Sequence, residues 1–339
     1  MGIQFISKAS LSKQRPSVAF PRGFRLGDHV REIGVQANGH RIYEFIGTDS
    51  FGSEWQERQR FEVYAGRDEE PILYEPIYEI IRDANLPKNV GIQRMGPGGV
   101  VLEEIHEGGE VKFASVTSSE VSVPIKHYGV GLEYSKDLVV FNETWRVPVV
   151  ERQVGVAYNA LLNNLHLSPI LTATYAAANQ TAANTGGSTT TEDYLLTIED
   201  AITNSKADAT NPRRGPYVLL IASAQMFMVE RALQRVPQQG VSLQASSALD
   251  MVRAVIAYDG WTGTRGGLVT TYSGVSSGTG YLISQQYRGL DFQSYMKQDL
   301  MNEGEETDIS RFMTQTVWDT YFGVYANPVA AVEEITWPS

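Results

Sequence analysis

Between Val123 and Ile170 the hydrophobic period of the chain changes from that of a strand to that of a long helix, and the rest of the chain is organised around this stretch. In VPIKHYGVGLEYS, residues Ile125, His127, Gly129, Gly131 and Glu133 alternate with Tyr128, Val130, Leu132 and Tyr134, so a strand here has one apolar face. Beyond Asn142 and Thr144, either of which suits a helix cap, and Pro148, which suits a first turn, apolar residues recur at Val150, Val154, Ala157, Leu161 and Leu165. This spacing predicts an amphipathic helix from Val147 to Leu167. It should stop before Ser168-Pro169, because the residue preceding a proline is disfavoured in helical geometry. Such a helix measures roughly 30 Å at about 1.5 Å per residue, enough to cross a domain.

A chain of 339 residues with 42% hydrophobic and 20% charged residues has material for about two globular domains. It has no cysteine, which excludes disulfides, thiolate chemistry and cysteine-bound zinc. No apolar run approaches the roughly 18 residues of a membrane helix, and MGIQFISKASLSKQRPS lacks an apolar signal core, so synthesis in the cytoplasm and no membrane partner are expected. The net charge of −11 argues against wholesale nucleic-acid binding, yet it is unevenly placed. Through Arg31, the six cations Lys8, Lys13, Arg15, Arg22, Arg25 and Arg31 face only Asp28, giving a local +5 and leaving −16 for the remainder. A basic arm on an acidic body suits contact with nucleic acid or with an acidic neighbouring subunit; a solvated tail is the plainer alternative.

Residues 1 to about 45 show no sustained period and read as an extended arm, with one short strand at HRIYEFIG. The charged segment FGSEWQERQRFEVYAGRDEEP follows, and then ILYEPIYEIIRDANLP, where Ile72, Tyr74, Ile77, Ile80 and Ile81 predict a short helix ended by Asn85 and Pro87. From Val90 to Val123, turn signals at Pro97-Gly98-Gly99 and Glu107-Gly108-Gly109 predict a long two-stranded ribbon. A ribbon of that kind is marginal alone, so it should rest on its own chain or on a neighbour.

After the predicted helix, LTATYAAANQTAANTGGSTTTED reads as a loop, and an α/β alternation follows. Helices are expected at Asp193 to Lys206, Ala224 to Gln234 and Ser246 to Arg253. Strands are expected at Tyr217 to Ile221, Val255 to Tyr258, Leu268 to Thr271, Tyr281 to Ser284 and Leu290 to Lys297. The last part is β: Phe312, Thr314, Thr316, Trp318 and Thr320 alternate with Met313, Gln315, Val317 and Asp319, and a further strand lies near Val332 to Trp337. These C-terminal strands should pair with Val123 to Tyr134, which makes 171–305 an insertion.

No catalytic, cofactor-binding or metal-binding set emerges. The histidines His29, His40, His106, His127 and His166 lack the spacing of a helical zinc site, and His166 reads as a packing residue. The carboxylate pairs Glu103-Glu104, Glu305-Glu306 and Glu333-Glu334 are adjacent, so in strands they point to opposite faces and cannot converge. Asp299, Glu303, Glu305, Glu306 and Asp308 match a calcium loop in charge but not in ligand order. Gly263, Gly266 and Gly267 are not followed by the lysine of a phosphate loop, and Ser118, Ser119 and Ser223 lack a nucleophile elbow. The expectation is a non-enzyme without cofactors.

The order of these parts, a basic arm, a long ribbon, GVGLEYSKDLV leading into a long helix, an α/β insertion and the aromatic β return YFGVYANPVAAVEE, resembles the major capsid proteins of tailed bacteriophages, the Hong Kong 97 fold. The resemblance implies an α+β fold with an N-terminal arm at 1–70, a short helix region at 71–89, an extended loop at 90–122, a peripheral domain from 123–170 and 306–339, and an axial domain at 171–305. It implies a structural protein that self-assembles through hexamers and pentamers into an icosahedral virion capsid around double-stranded DNA, held only non-specifically. Scaffolding, portal and decoration proteins are the further partners it implies. Relatives with a built-in scaffolding segment carry a long charged helical leader not seen here, so a separate scaffold or none is expected.

Some relatives join subunits through a lysine on the extended loop and an asparagine in the peripheral domain; Lys112 and Asn327 are the residues of those types here. The near alternative is an encapsulin-like compartment. Further off lie a tube or fibre subunit, which would form open polymers, and an α/β glycan-acting enzyme, which would need aromatics and carboxylates converging in one pocket.

Overall fold

A computed structural model describes residues 4–6, 60–95, 118–135, 147–208, 212–234, 249–265, 267–286, 288–308 and 313–338. Two sheets share one core. The first has six strands in the order β1 (Gln4–Ile6), β8 (Val252–Ala257), β7 (Tyr217–Ile221), β11 (Thr279–Ser284), β14 (Val332–Thr336) and β6 (Gln180–Thr181). The second has four: β2 (Glu79–Arg82), β12 (Phe292–Asp308), β13 (Met313–Ala326) and β5 (Lys126–Ser135). Two hairpins stand apart from these sheets, β3 (Asn89–Met95) with β4 (Ser118–Pro124), and β9 (Gly260–Arg265) with β10 (Leu268–Ser273).

The helices are α1 over residues 60–69, α2 (Val147–Thr172), α3 (Thr190–Ala207), α4 (Ser223–Gln234), and the single turns α5 (Arg288–Asp291) and α6 (Pro328–Ala331). The start of α3 shows its cause in the sequence. Thr189 accepts from the Glu192 amide and Glu192 accepts from the Ser188 amide, so a reciprocal cap satisfies amides that the first turn leaves bare.

Period two decides how the six-stranded sheet is covered. Val218, Leu220, Ala254 and Ile256 face α2 and the second sheet, whereas Tyr217, Leu219, Ile221 and Val255 face the layer of α3 and α4. All five residues of β7 are buried, as a strand covered on both faces requires. The helix α2 contributes Val154, Tyr158, Leu162, Leu167 and Ile170 to the shared core.

The expected pairing of the C-terminal β run with the first strand is present: β13 runs antiparallel to β5 from Met313 opposite Ser135 to Phe322 opposite Lys126. Tyr128, Val130 and Leu132 point to the core, and His127, Gly129, Gly131 and Glu133 are exposed. The strand near Val332 behaves differently. β14 lies in the six-stranded sheet, between β11 and β6, and does not join β5.

Four other expectations change. The helix α2 passes through Ser168-Pro169 and ends at Thr172, because Pro169 falls in the last turn, where its missing amide costs one helical hydrogen bond and the buried Ile170 holds the turn to the core. The segment around Ile72–Ile81 is no helix: Pro76 interrupts it, a single turn closes on the Tyr74 carbonyl, and β2 begins at Glu79. The charged stretch to which the sequence assigned no element contains α1. Of the helix expected at Ser246 to Arg253, a short 3-10 turn at Leu249–Met251 is seen, with β8 starting at Val252, because Val252 and Ala254 are drawn into the sheet interior. The central part of the ribbon, residues 96–117, and the strand expected at HRIYEFIG lie outside the described residues.

Candidate functional site

The face of α2 turned toward the segment 62–78 is polar, and it holds that segment by its backbone. Arg152, Asn159, Asn163 and His166 follow at intervals of seven, four and three residues, which places them within about 60° on a helix of 3.6 residues per turn. Arg152 pairs with Glu62 at 2.8 Å and Glu69 at 3.4 Å. The Asn159 amide donates to the carbonyls of Arg67 and Glu70, both at 2.7 Å. Asn163 donates to the Pro71 carbonyl at 2.9 Å and accepts from the Leu73 amide at 2.8 Å. Tyr78 closes the ladder by donating to the His166 carbonyl at 2.6 Å. The two segments run in the same direction along this seam.

Where α1 crosses α2, both helices carry glycine. A Cβ on Gly155 would fall on the Val63 carbonyl, and one on Gly66 would fall on the Arg152 carbonyl, so the backbones meet at a distance that only glycine permits. Arg67 then reaches between the rings of Tyr64 and Tyr158 to Asp299 on β12 at 3.2 Å. Burial pushes the Asp299 carboxyl up, but the hydrogen bond from Tyr158 at 2.7 Å and the charge of Arg67 outweigh it and hold the group below its usual range. Asp299 is thus committed to the seam.

His166 is fully buried. Its Nδ1 lies 2.6 Å from the Leu162 carbonyl, which can only accept, so Nδ1 carries the proton and Nε2 accepts from the Ser294 hydroxyl at 2.8 Å. Tyr74 stacks on the ring at 3.6 Å and Tyr78 meets its edge. Burial lowers its pKa to about 3. This is the packing role the sequence suggested.

The base of the ribbon rests on its own chain. β3 and β4 pair from Asn89 opposite Pro124 to Met95 opposite Ser118, and Ile92, Val123 and Ile125 pack with Leu86 and Tyr295 in a small separate cluster.

The remaining candidates do not converge. His127 on β5 pairs with Asp319 at 2.9 Å and stacks on Tyr321 at 4.2 Å. Glu333 meets Arg213 at 2.8 Å and the Thr181 hydroxyl at 2.7 Å, while Arg213 also reaches Asp208 at 3.3 Å. Burial raises the Glu333 carboxyl against the opposing pull of Thr181 and Arg213. Asn327 donates to Asp291 at 3.0 Å. Ser223 opens α4, its amide held by Asp259, and Gly263 and Gly267 belong to the β9–β10 hairpin. Lys112, Glu103, Glu104, His29, His40 and His106 lie outside the described residues, as does Gly266.

Among the described residues no group of three His, Asp or Glu side chains is placed to hold a metal, and no helix is long and apolar enough to cross a membrane. A groove of about 510 Å³ beside α3 is lined by Thr181, Asn184, Asp200 and Asn204, with one carboxylate and no aromatic ring. That carboxylate already accepts from Asn184 at 2.7 Å. Among the described residues the candidate groups are engaged in separate structural contacts and do not converge on one point.

No family model matches the sequence, and no curated protein matches it. The fold does have solved counterparts. The capsid of Staphylococcus phage Andhra is similar with a TM-score of 0.54 at 8% identity, over 80% of this chain and 85% of that one. The capsid of the cyanophage P-SCSP1u gives 0.52 at 12% identity, over 79% and 88%. A virus-like particle from Pyrococcus furiosus gives 0.50 at 10%, over 83% and 98%. The chain therefore has the α+β fold from which these shells are built, the Hong Kong 97 fold expected from the order of its parts.

Proposed function

We propose that the protein is a major capsid protein whose copies assemble into a closed icosahedral shell, found in the virion and packaging double-stranded DNA without base-specific contacts. The observation that carries this reading is the match in fold of about four-fifths of the chain to solved capsid structures. The surface agrees with it. Phe61 and Tyr64 on α1, Val149 and Val150 at the start of α2, and Leu268 and Val269 on the β9–β10 hairpin are large apolar side chains left exposed on one subunit, Leu268 by 71%. Repeated heterologous contacts between identical chains bury such patches and close into shells when their rotations permit.

In this reading the four-stranded sheet with α2 is the peripheral unit, the six-stranded sheet with α3 and α4 is the axial unit, and the ribbon and arm reach neighbours. The protein acts without catalysis or cofactor, and its partners are copies of itself in hexamers and pentamers, with scaffolding, portal and decoration proteins as the further partners of such a shell. Sedimentation velocity and negative-stain microscopy of the purified protein test this: closed particles are expected, and a monomer persisting across protein concentrations refutes it. A second reading, a cargo-enclosing compartment, draws on the likeness to the Pyrococcus furiosus particle. The two are separated by what purified particles contain, DNA in the first case and protein cargo in the second.

A further inference from the structure

The six-stranded sheet is completed at one edge by three residues from the far N-terminal side of the chain. Gln4 pairs with Ala254, Phe5 with Val255 and Ile6 with Ile256, all parallel to β8. Ala254, Val255 and Ile256 are buried, so without β1 this edge would present bare amides and carbonyls beside an apolar interior. Three residue pairs are few, and a short strand held mainly by main-chain bonds is the kind that one chain can lend to another.

Residues 7–59, which join β1 to α1, number 53. A coil of that length has an end-to-end distance of about 40 Å, and fully extended it reaches about 180 Å. A compact chain of 339 residues has a radius of gyration of about 20 Å. The edge of β8 on an adjoining copy therefore lies within reach of β1, as the edge on its own subunit does. Charge does not hold the arm to its own body in preference: the stretch through Arg31 carries +5, and the acidic remainder of −16 that attracts it is the same on every copy.

We infer that in the assembled protein β1 is exchanged, residues 4–6 of one copy completing the six-stranded sheet of a second copy by parallel addition to β8. The exchange goes beyond the shell reading and rests on it only for the proximity of the copies. It makes the β8 edge a docking slot whose occupant is a neighbour's N-terminal strand, and it ties subunits together through backbone hydrogen bonds that no surface substitution removes.

Because the protein has no cysteine, disulfide trapping reads the exchange directly. Partner Cα atoms on adjacent strands lie about 5 Å apart, within the range a disulfide spans. Gln4→Cys and Ala254→Cys chains, each singly substituted, are mixed, assembled and oxidised, and the same sample is sedimented first to record particles. The expected result is a band of twice the monomer mass on a denaturing gel, lost on reduction and absent when either variant is oxidised alone. Particles without that band, with the doubly substituted Q4C/A254C chain closing only on itself or not at all, overturn the exchange and leave the shell reading intact. Cross-linked dimers in a sample that forms no particles support the exchange and count against the shell. If Ala254→Cys fails to fold, a photoreactive phenylalanine at position 5 in particles assembled from isotopically heavy and light chains replaces it. Heavy–light cross-linked peptides containing residues near Val255 support the exchange, and exclusively like-labelled pairs overturn it.

Discussion

Asn163→Ala is the substitution that most directly tests whether the polar ladder on α2 holds the segment 62–78. The side chain is fully buried and serves two backbone groups, the Leu73 amide and the Pro71 carbonyl. Leu73 is itself buried, so its amide loses its partner with no water to replace it; an orphaned buried donor costs about 2–3 kcal/mol. Pro71 is half-buried and its carbonyl can recover a water, which reduces its share to about 1 kcal/mol. The expected loss is about 3–4 kcal/mol, read as a lowered midpoint at unchanged slope in urea unfolding of the dissociated subunit.

Asn163→Asp separates the two bonds. The carboxylate still accepts from Leu73 but sets a buried negative charge against the Pro71 carbonyl, so this variant should be at least as unstable at neutral pH and should recover on acidification, when the protonated oxygen can donate. An Asn163→Ala midpoint equivalent to a change within about 0.5 kcal/mol of wild type, the range of a neutral surface substitution, refutes the argument.

Gly155→Val places a side chain on the Val63 carbonyl and should drive α1 off α2, seen as new protease cleavage within residues 60–73 and a loss of about 1–3 kcal/mol or more. Arg213→Met leaves Glu333 buried without its cation and should cost about 3–5 kcal/mol at neutral pH. Burial already raises the Glu333 carboxyl, so the native state takes up its proton more readily than the unfolded chain. The Arg213→Met deficit should therefore shrink as pH falls, and Glu333→Gln in the same background should abolish that pH dependence. For His166 the sign is opposite. A ring with its pKa lowered from 6.5 to about 3 binds its proton more readily when unfolded, so its contribution is complete above pH 6.5. It falls by about 1.4 kcal/mol per pH unit between those values, and urea titrations of His166→Gln should lack that component of the slope.

The central strand and the existence of the helix were legible from their periods: Tyr128, Val130 and Leu132 alternate toward the core, and apolar residues recur along α2 at helical spacing. Of the stripe read from the sequence, however, only Val154 and Leu165 pack in the core, where Tyr158, Leu162, Leu167 and Ile170 join them, while Leu161 is half-buried and Val150 is exposed. The failures share a different cause. α1 is hidden in a charged stretch because part of its inward face is polar, with Glu62 satisfied by Arg152 and the backbone of residue 67 by Asn159. Asn159 and Asn163 gave no signal, since asparagine in a helix reads as a solvated residue until the segment that it binds is in view. The strand β12 was cut short at Lys297 because register shifts between Met296 and Gln298, Gln298 and Met301, and Asn302 and Gly304 destroy its alternation. The acidic cluster from Asp299 to Asp308 is the remainder of that bulged strand.

The position of β14 sets a timetable for the nascent chain. β7, β8 and β11 emerge from the ribosome early, but the strand that lies beside β11 is synthesised only after the whole β12–β13 hairpin. Until then the edge of β11 stays open, so the growing polypeptide carries an incomplete sheet through the translation of some fifty residues. Residues 171–305 expressed by themselves would keep that gap permanently, and should be recovered as aggregate or in complex with a chaperone.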